Sequence, residues 1–366
     1  MTSGGGSMRV LLGIISIVVY GALTYYLGWN LKRWLISVQL FRYEPLFWSL
    51  IFFVSFSFIF ARLHEVLQFL SVVGNYWMFV FEYGLLICVM FNVLMLLPPF
   101  KNMVVMGSIA IALLVILFIV GTFNAYSPVV RNATITVQKA GEPMRIVLAS
   151  DFHLGVLSGK KHLQRFVQLS NDQNPDLVLL AGDLVDDDPK WFVNNGMNKI
   201  MAQLQTTYGV YGILGNHEYY GGKIELLVEE MRSANVTMLL DETVDITEDI
   251  VLTGQEDITN KNRLALSELK PQNDDKFWIV MNHTPNDLLT PTQAGVDLHL
   301  SGHTHKGQMW PNNLLTERMY ELDYGYKLRD TMHAFVSSGF GFWGPPTRIG
   351  SRSELWVIDV QFTQPN

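Results

Sequence analysis

The 366-residue chain is long enough for two domains of ordinary size, and it is 49% hydrophobic and only 16% charged. Residues 1–124 carry six Lys/Arg and three Asp/Glu, which leaves 20 Lys/Arg and 30 Asp/Glu for residues 125–366. The second part therefore lacks the basic surface of a nucleic-acid-binding domain, and its acidity suits a site for divalent cations.

Residues 8–124 are predicted to form a transmembrane domain, after a stretch, 1–7, that resembles a linker scar or a flexible tail. A helix needs about 20 apolar residues to cross a bilayer. Four segments come close to that length, at 10–29, 45–61, 76–97 and 103–123, and only the third contains an acidic residue, Glu82. A buried soluble bundle is the alternative, but four apolar runs with short polar breaks between them favour four transmembrane helices.

The loops between these segments predict the orientation of the domain. The basic residues of the first and third loops are Lys32, Arg33, Arg42 and Lys101. Those of the amino end and the second loop are Arg9 and Arg62. Because cytoplasmic loops are enriched in Lys and Arg, this count places the first and third loops inside. Four crossings would then place both termini, and the large second domain, on the extracytoplasmic side of the cell membrane.

Residues 125–142 are predicted to be a linker, and residues 143–366 a second domain of α/β structure. Short β-branched and apolar runs that end in Gly, Asn, Asp or Ser are typical of buried strands. They occur at 145–150, 177–181, 210–214, 277–281, 298–301, 334–337 and 355–362. Segments 160–171 and 223–234 are predicted to be helices that pack on the sheets. The only cysteine, Cys88, lies outside this domain, which excludes a cysteine nucleophile there.

Polar side chains follow five of these strands directly. The five groups are Asp151-Phe152-His153, Gly182-Asp183-Leu184-Val185-Asp186, Gly215-Asn216-His217-Glu218, Asn282-His283-Thr284-Pro285 and Gly302-His303-Thr304-His305. In α/β proteins ligands bind at the carboxyl ends of strands, so the side chains are expected to converge in space. One such group occurs easily by chance, whereas five in order, each after a strand, predict a shared site.

The residue types in these groups indicate metal binding. Asp, Asn and His supply oxygen and nitrogen ligands suited to Mn, Fe, Zn or similar divalent ions. The glycines before Asp183, Asn216 and His303 are expected to allow sharp turns that direct the next side chain inward. The histidines that match none of the groups, namely His162, His299 and His333, are predicted to be ordinary core residues.

The five groups resemble, in this order, the motifs of the calcineurin-like metallophosphoesterase superfamily, and the helices in front resemble its membrane-anchored bacterial branch. The resemblance covers about residues 143–362. It implies a four-layer αββα sandwich with two divalent metal ions, Mn²⁺ before Fe, Zn or Co. One ion would be held by Asp151, His153, Asp183 and His305. The other would be held by Asp183, Asn216, His283 and His303, so that Asp183 bridges the two.

The resemblance also implies the chemistry. A metal-bridging hydroxide would hydrolyse a phosphoester or pyrophosphate bond, with Asp183 and His217 as catalytic residues and His217 protonating the leaving oxygen. Asp186 would lie behind the ligands. Apart from the resemblance, Lys306 and Arg348 are expected either to lie behind the ligands, to line the substrate mouth or to pack at the sheet edge. Because relatives in the membrane-anchored branch cleave phospholipids or lipid-sugar pyrophosphates, the expected partners are a lipid or lipid-linked phosphoester and the bilayer, not nucleic acid.

Other interpretations remain open at the level of sequence. A tethered extracytoplasmic phosphodiesterase of broad specificity and a non-catalytic membrane scaffold are the alternatives, although the presence of every expected ligand argues against the scaffold. The segment 339–346, with Phe340, Phe342 and Trp343, would either line the substrate mouth or pack at the sheet edge. Lys306 stands where the branch often has Gly, and Ser353-Glu354 where it often has Pro-Glu, which concerns substrate choice.

Overall fold

The structure is a computed structural model that describes residues 4–64 and 67–363. The chain divides into one compact unit over Met1–Val120 and another over Gly121–Asn366. The helices of the first unit are α1 (Gly4–Ser37), α2 (Glu44–Ser55), α3 (Ser57–Phe60), α4 (Phe69–Leu94) and most of α5 (Met103–Tyr126), with a 3₁₀ turn at Pro98–Phe100. The sequence interpretation of residues 1–7 falls partly outside the described residues, since the description begins at Gly4.

Within residues 4–64 and 67–363, three helices rather than the predicted four are long and apolar enough to cross a membrane by themselves. They are Val10–Ser37, Phe69–Leu94 and Met103–Tyr126. The predicted span at 45–61 is divided because Phe56, with φ −100° and ψ 8°, leaves the helical conformation between α2 and α3. At 1.5 Å per residue α2 extends only about 18 Å, short of the ~30 Å of a bilayer core.

Hydrogen bonds between polar side chains connect the helices of the first unit. Tyr20 donates a hydrogen bond to the carbonyl of Ser55 at 2.6 Å and accepts one from Trp77 Nε1 at 2.9 Å. Asn92 Nδ2 lies 2.7 Å from the hydroxyl of Tyr26. Because a bilayer core offers no water, polar groups of this kind must find partners within the bundle. These bonds join α1 to α2 and α4.

The second unit contains two six-stranded sheets. In spatial order the first is β1 (Val129–Val137), β12 (Glu354–Phe362), β2 (Met144–Ala149), β3 (Leu177–Ala181), β4 (Val210–Ile213) and β5 (Val236–Met238). The second is β10 (Gly325–Arg329), β11 (Met332–Val336), β9 (Leu298–Ser301), β8 (Phe277–Asn282), β7 (Ile250–Gln255) and β6 (Glu242–Asp245). Strands β2 to β5 are mutually parallel, as are β7, β8, β9 and β11.

The helices of the second unit are α6 (Lys160–Asn171), α7 (Lys190–Asn194), α8 (Asn198–Met201), α9 (Asn216–Gly221), α10 (Ile224–Ser233), α11 (Leu289–Ala294) and α12 (Asn313–Met319). Side chains of α6, α7, α8 and α10 pack with those of the first sheet in one buried cluster, and Ala294 of α11 packs against a cluster on the second. Ile146 and Leu179 of the first sheet pack with Ile279 and Leu300 of the second in one fully buried cluster. Each such side chain contributes about 1.5–3 kcal/mol by leaving water. This arrangement of helices, sheet, sheet and helices confirms the predicted αββα fold.

Strand β1 lies inside the segment 125–142, which the sequence assigned to a linker. It pairs in parallel with β12, from Val129 opposite Glu354 to Val137 opposite Phe362. Its side chains are largely half-buried or exposed, as expected of an edge strand, and this weak apolar signal conceals it in the sequence. The sheet therefore begins almost directly after α5, and residues 129–137 of the expected linker belong to it.

Candidate metal centre

The predicted ligands converge where the two sheets end. Strands β2, β3 and β4 are parallel neighbours, as are β8 and β9, so the carboxyl ends of each set lie along one edge. The loops that follow them carry all seven predicted ligands, namely Asp151, His153, Asp183, Asn216, His283, His303 and His305.

One group of donors forms around Asp151. Ligand atoms of Asp151, His153 and His305 lie within 4.8 Å of one another. The Nε2 atoms of His153 and His305 are 3.0 Å apart, and His305 Nε2 is 3.5 Å from Asp151 Oδ1. All three side chains are buried. Two imidazole nitrogens that face each other at this distance are placed as two ligands of one ion would be.

A second group forms around Asp183. Ligand atoms of Asp183, His283 and His303 also lie within 4.8 Å of one another. His283 Nε2 is 3.1 Å from Asp183 Oδ2, and His303 Nδ1 is 2.8 Å from Asn216 Oδ1. Asp183 Oδ2 also lies 3.7 Å from His153 Nε2, which belongs to the first group. Asp183 therefore lies within 4 Å of histidines in both groups, as the resemblance implies for a bridging ligand.

The tautomer of His283 fits a metal ligand. Its Nδ1 donates a hydrogen bond to the carbonyl of Ala181 at 2.7 Å, which leaves Nε2 as the ring nitrogen that faces Asp183. Burial alone would lower the pKa of His283, but the carboxylates of Asp183 and Asp151, 3.1 and 4.0 Å from Nε2, outweigh it and raise that pKa well above its usual value. These carboxylates stabilise a positive charge at Nε2, whether it is carried by a proton or by a metal ion. A divalent cation would satisfy a nitrogen held in this way.

Burial keeps the other histidines of the site in the form that binds metal. It lowers the pKa of His153 to about 3 and that of His303 to about 4, and it places the pKa of His305 well below its usual value. Burial raises the pKa of Asp151 to about 6, a shift that a bound cation would reverse. Neutral imidazoles beside buried carboxylates therefore fit a site for divalent metal ions.

The backbone of the site is strained where the ligands sit. Five of the seven, Asp151, His153, Asp183, His303 and His305, have positive φ between 44° and 71°. Such conformations cost of order 1–3 kcal/mol each in non-glycine residues and concentrate at functional sites. Of the three glycines expected to make the turns, only Gly182 has positive φ, and a Cβ there would lie 2.6 Å from the His283 ring.

His217 lies at the edge of the centre and is held by a residue that the sequence did not single out. Its Nδ1 is 2.7 Å from Asp187 Oδ1, and its backbone N–H donates to Asp183 Oδ1. Burial alone would lower the pKa of His217, but the Asp187 hydrogen bond and the charge of Asp183 outweigh it and raise that pKa. Asp187 follows the predicted Asp186 in a run of three aspartates, and the sequence contains no signal that selects it.

Glu218 is a second residue whose role was not predicted. Its buried carboxylate accepts hydrogen bonds from the backbone N–H groups of Asp183, Val185 and Gly215. It therefore joins the loop after β3 to the loop after β4. Its place directly after His217 was visible in the sequence, but the three bonds depend on tertiary folding.

Arg348 lies behind the metal ligands, which is one of the positions that the sequence left open for it. Its side chain is fully buried, and its guanidinium donates to the carbonyls of Ser338 at 2.6 Å and Gly341 at 2.8 Å. Nη2 also lies 3.1 Å from His305 Nδ1. A guanidinium has five donors in a fixed fork, which suits it to bracing several backbone carbonyls. Arg348 therefore supports the loops behind the metal centre.

Replacement of Arg348 by methionine is expected to lower the stability of the chain by about 3 kcal/mol or more, because several buried carbonyls lose a charged donor. Thermal unfolding of the full chain in detergent micelles would measure the change. The control is Arg232→Met, which removes an exposed arginine on α10 and should leave the Tm within about 2 °C of the parent. Equal melting of Arg348→Met and the control would contradict the supporting role.

The remaining predicted residues lie around the rim. Asp186 is exposed and belongs to a group with Asp187 and His217. Lys306 is half-buried, with Nζ 4.4 Å from the ring of Tyr324. In the segment 339–346 Phe340 and Phe342 are buried in the core, whereas Trp343 is 49% exposed and its ring lies 6.0 Å from that of His217. Of that segment's aromatic residues, Trp343 is thus the one in position to meet a substrate.

Two sheets between helices, with Asp, Asn and His donors gathered at the strand ends, define a metallohydrolase of the αββα class. The calcineurin-like phosphoesterase family model matches residues 144–307. The chain is 30% identical over 262 residues to an uncharacterized metallophosphoesterase of Aquifex aeolicus and covers 98% of that protein. The chain therefore belongs to the calcineurin-like phosphoesterase family, whose members use divalent metal ions.

Two other relatives are longer than the matched region. An uncharacterized metallophosphoesterase of Campylobacter jejuni is 32% identical over 241 residues, which is 64% of each chain. A transmembrane protein with metallophosphoesterase domain from Bos taurus is 30% identical over 284 residues, covering 71% of this chain and 64% of that one. The chain thus spans less than two thirds of the length of these two relatives.

Proposed function

We propose that the protein is a membrane-bound, metal-dependent phosphoesterase that hydrolyses a phosphoester or pyrophosphate bond of a lipid or lipid-linked substrate. The observation that carries this proposal is the pair of donor groups that share Asp183. Asp151, His153 and His305 would hold one ion and Asn216, His283 and His303 the other. Divalent ions bound there supply Lewis acidity to the phosphoryl oxygens and acidify an attacking water.

The protein's own side chains supply the rest of the chemistry. His217 would donate a proton to the leaving oxygen, and its raised pKa favours the protonated form that this step requires. Asp187 would hold the ring by its bond to Nδ1, so that Nε2 is the atom that donates. Two features would fix the orientation of the shared carboxylate of Asp183. They are its strained backbone and the hydrogen bond that Oδ1 accepts from the backbone N–H of His217.

The lipid part of the proposal rests on the membrane helices and on the transmembrane relative. Trp343, half exposed beside His217, offers an apolar surface next to the site of chemistry. The two alternative functions considered from the sequence require different features of the site. A tethered phosphodiesterase of broad specificity needs no apolar contact with its substrate, and a non-catalytic scaffold needs no proton donor at the metal centre.

Purified full-length protein in detergent micelles is expected to hydrolyse phosphodiesters only when loaded with divalent metal. A chelator should remove the activity and Mn²⁺ should restore it, measured with bis-p-nitrophenyl phosphate and with lipid phosphodiesters or pyrophosphates. Higher kcat/KM for the lipids supports the proposal. Equal turnover of soluble esters favours the phosphodiesterase of broad specificity, and metal binding without hydrolysis of any of them favours the scaffold.

The extracytoplasmic placement is part of the proposal, and it requires α2 and α3 to cross the membrane together. Helical hydrogen bonds continue past the break, from Phe56 N to Phe52 O and from Phe60 N to Phe56 O. The 17 residues Glu44–Phe60 would extend about 25 Å as one kinked helix, near the lower limit for a span. Protease added to intact cells is therefore expected to digest the catalytic unit. Protection would reverse the assignment and indicate a cytoplasmic catalytic unit.

A further inference from the structure

A cavity of 260 Å³ in the second unit is positively charged and separate from the metal centre. Its lining includes Asn124, Arg131, Lys306, Tyr324, Ser351 and Arg352. Among the described residues that line it there is no aspartate or glutamate. Residues 121–366 carry 20 Lys/Arg and 30 Asp/Glu, so three cations around one cavity depart from the acidic character of the unit.

In the part of the chain that the structure describes, one of the three cations forms an ion pair at the cavity. Arg131 Nε lies 3.2 Å from Oε2 of the fully buried Glu354. Arg352 Nε instead donates to the carbonyl of Ser127 at 2.7 Å, and Lys306 Nζ lies over the ring of Tyr324. A carbonyl and an aromatic face hold these side chains in place without cancelling their charge. The cavity therefore keeps a net positive charge.

Arg348 separates this cavity from the metal centre. Its Nη1 is 3.2 Å from Ser351 Oγ, which lines the cavity, and its Nη2 is 3.1 Å from His305 Nδ1 on the metal side. Lys306 follows His305 in the chain, yet its ammonium group lies at Tyr324 rather than among the ligands. An anion in the cavity would thus be close to the metal centre but would not bind to its ions.

The cavity also lies next to the carboxyl end of α5, because Asn124 is one of its lining residues. Asn124 belongs to the last turn of α5, which is long and apolar enough to cross a membrane. The guanidinium carbon of Arg352 is 5.2 Å from the ring of Phe123 in the same turn. Basic side chains at the end of a membrane helix lie at the level of the lipid phosphates.

We propose that this cavity binds a phosphate monoester or diester group, held by Lys306, Arg352 and the guanidinium of Arg131. Guanidinium forks match the oxygens of a phosphate, and an ammonium adds a point charge. The same group is presented by a phospholipid headgroup and by a free phosphate ester. The proposal is independent of the proposed hydrolysis, because it concerns binding on the other side of Arg348.

The test is equilibrium binding to the full-length protein in detergent micelles. The probes are dioctanoyl phosphatidic acid, inorganic phosphate and dioctanoylglycerol, which lacks the phosphate. Titrations are made with the Mn²⁺-loaded protein and again with chelator, which removes binding of phosphate to the metal centre. With chelator present, Arg352→Gln and Lys306→Gln are each expected to weaken phosphatidic acid binding about tenfold. Arg232→Gln, which removes one exposed charge elsewhere, should not change it.

The controls keep the result independent of folding and of activity. Arg352→Lys keeps the charge and should bind within about threefold of the parent, while circular dichroism reports whether each variant is folded. Tighter binding of phosphatidic acid than of phosphate assigns a lipid headgroup, and equal binding assigns a free phosphate ester. Unchanged affinity in both Arg352→Gln and Lys306→Gln, or equal affinity for dioctanoylglycerol and phosphatidic acid, overturns the proposal.

Discussion

Replacement of Asp183 by asparagine is expected to remove metal binding and phosphoesterase activity together. Asp183 Oδ2 lies 3.1 Å from His283 Nε2 and 3.7 Å from His153 Nε2, so its carboxylate belongs to both donor groups. Asparagine keeps the shape of the side chain but removes the negative charge that holds two cations close together. Loss of the residue that hydrogen-bonds to a metal ligand lowers metal affinity about 10–100-fold. Loss of a ligand shared by two metal ions should lower it more.

Metal analysis of the purified variant, together with initial rates at saturating Mn²⁺, would measure this effect. The control is Asp249→Asn, which removes one exposed carboxylate that is not among the predicted ligands. This variant should keep both its bound metal and its rate. Asp183→Asn should still fold, because the residue lies in a loop outside the hydrophobic clusters. A variant that keeps full metal content and half or more of the rate would show that Asp183 does not join the two groups.

Local patterns predicted an α/β domain and the convergence of the ligands, whereas the four-layer αββα sandwich followed from the family resemblance. A buried parallel strand is a short apolar run, and the polar residues that follow it must lie at the carboxyl edge of the sheet. Strand β1 was missed because an edge strand buries few side chains. The break at Phe56 was missed because the apolar composition continues through it, and composition does not fix backbone angles.

The position of Arg348 stayed open in the sequence for a different physical reason. Nothing local separates a substrate contact from a supporting role behind the ligands, because the burial of Arg348 depends on the carbonyls of Ser338 and Gly341. These come from a distant segment that only tertiary folding brings to it. The same holds for Asp187, since three neighbouring aspartates look alike in sequence and only one reaches His217.

Removal of the His217 side chain is expected to leave metal bound and to lower kcat about 10²–10⁴-fold, the usual contribution of a positioned proton donor. The backbone N–H of residue 217, which donates to Asp183, survives in His217→Ala. The loss should be largest for esters with alkyl leaving groups, which need a proton as they depart. It should be small for p-nitrophenyl esters, whose leaving group is stable as an anion. Equal losses for both kinds of ester would exclude proton donation.

Asp187→Asn also tests whether His217 donates the proton, because this change should alter the pKa of His217. The Asp187 carboxylate helps to raise that pKa, so its neutral replacement should lower it. Because the reaction needs protonated His217, activity is lost as pH rises through this pKa. The alkaline limb of kcat/KM should therefore move to lower pH in Asp187→Asn, with metal content unchanged. An alkaline limb at the parent position would mean that a group other than His217 donates the proton.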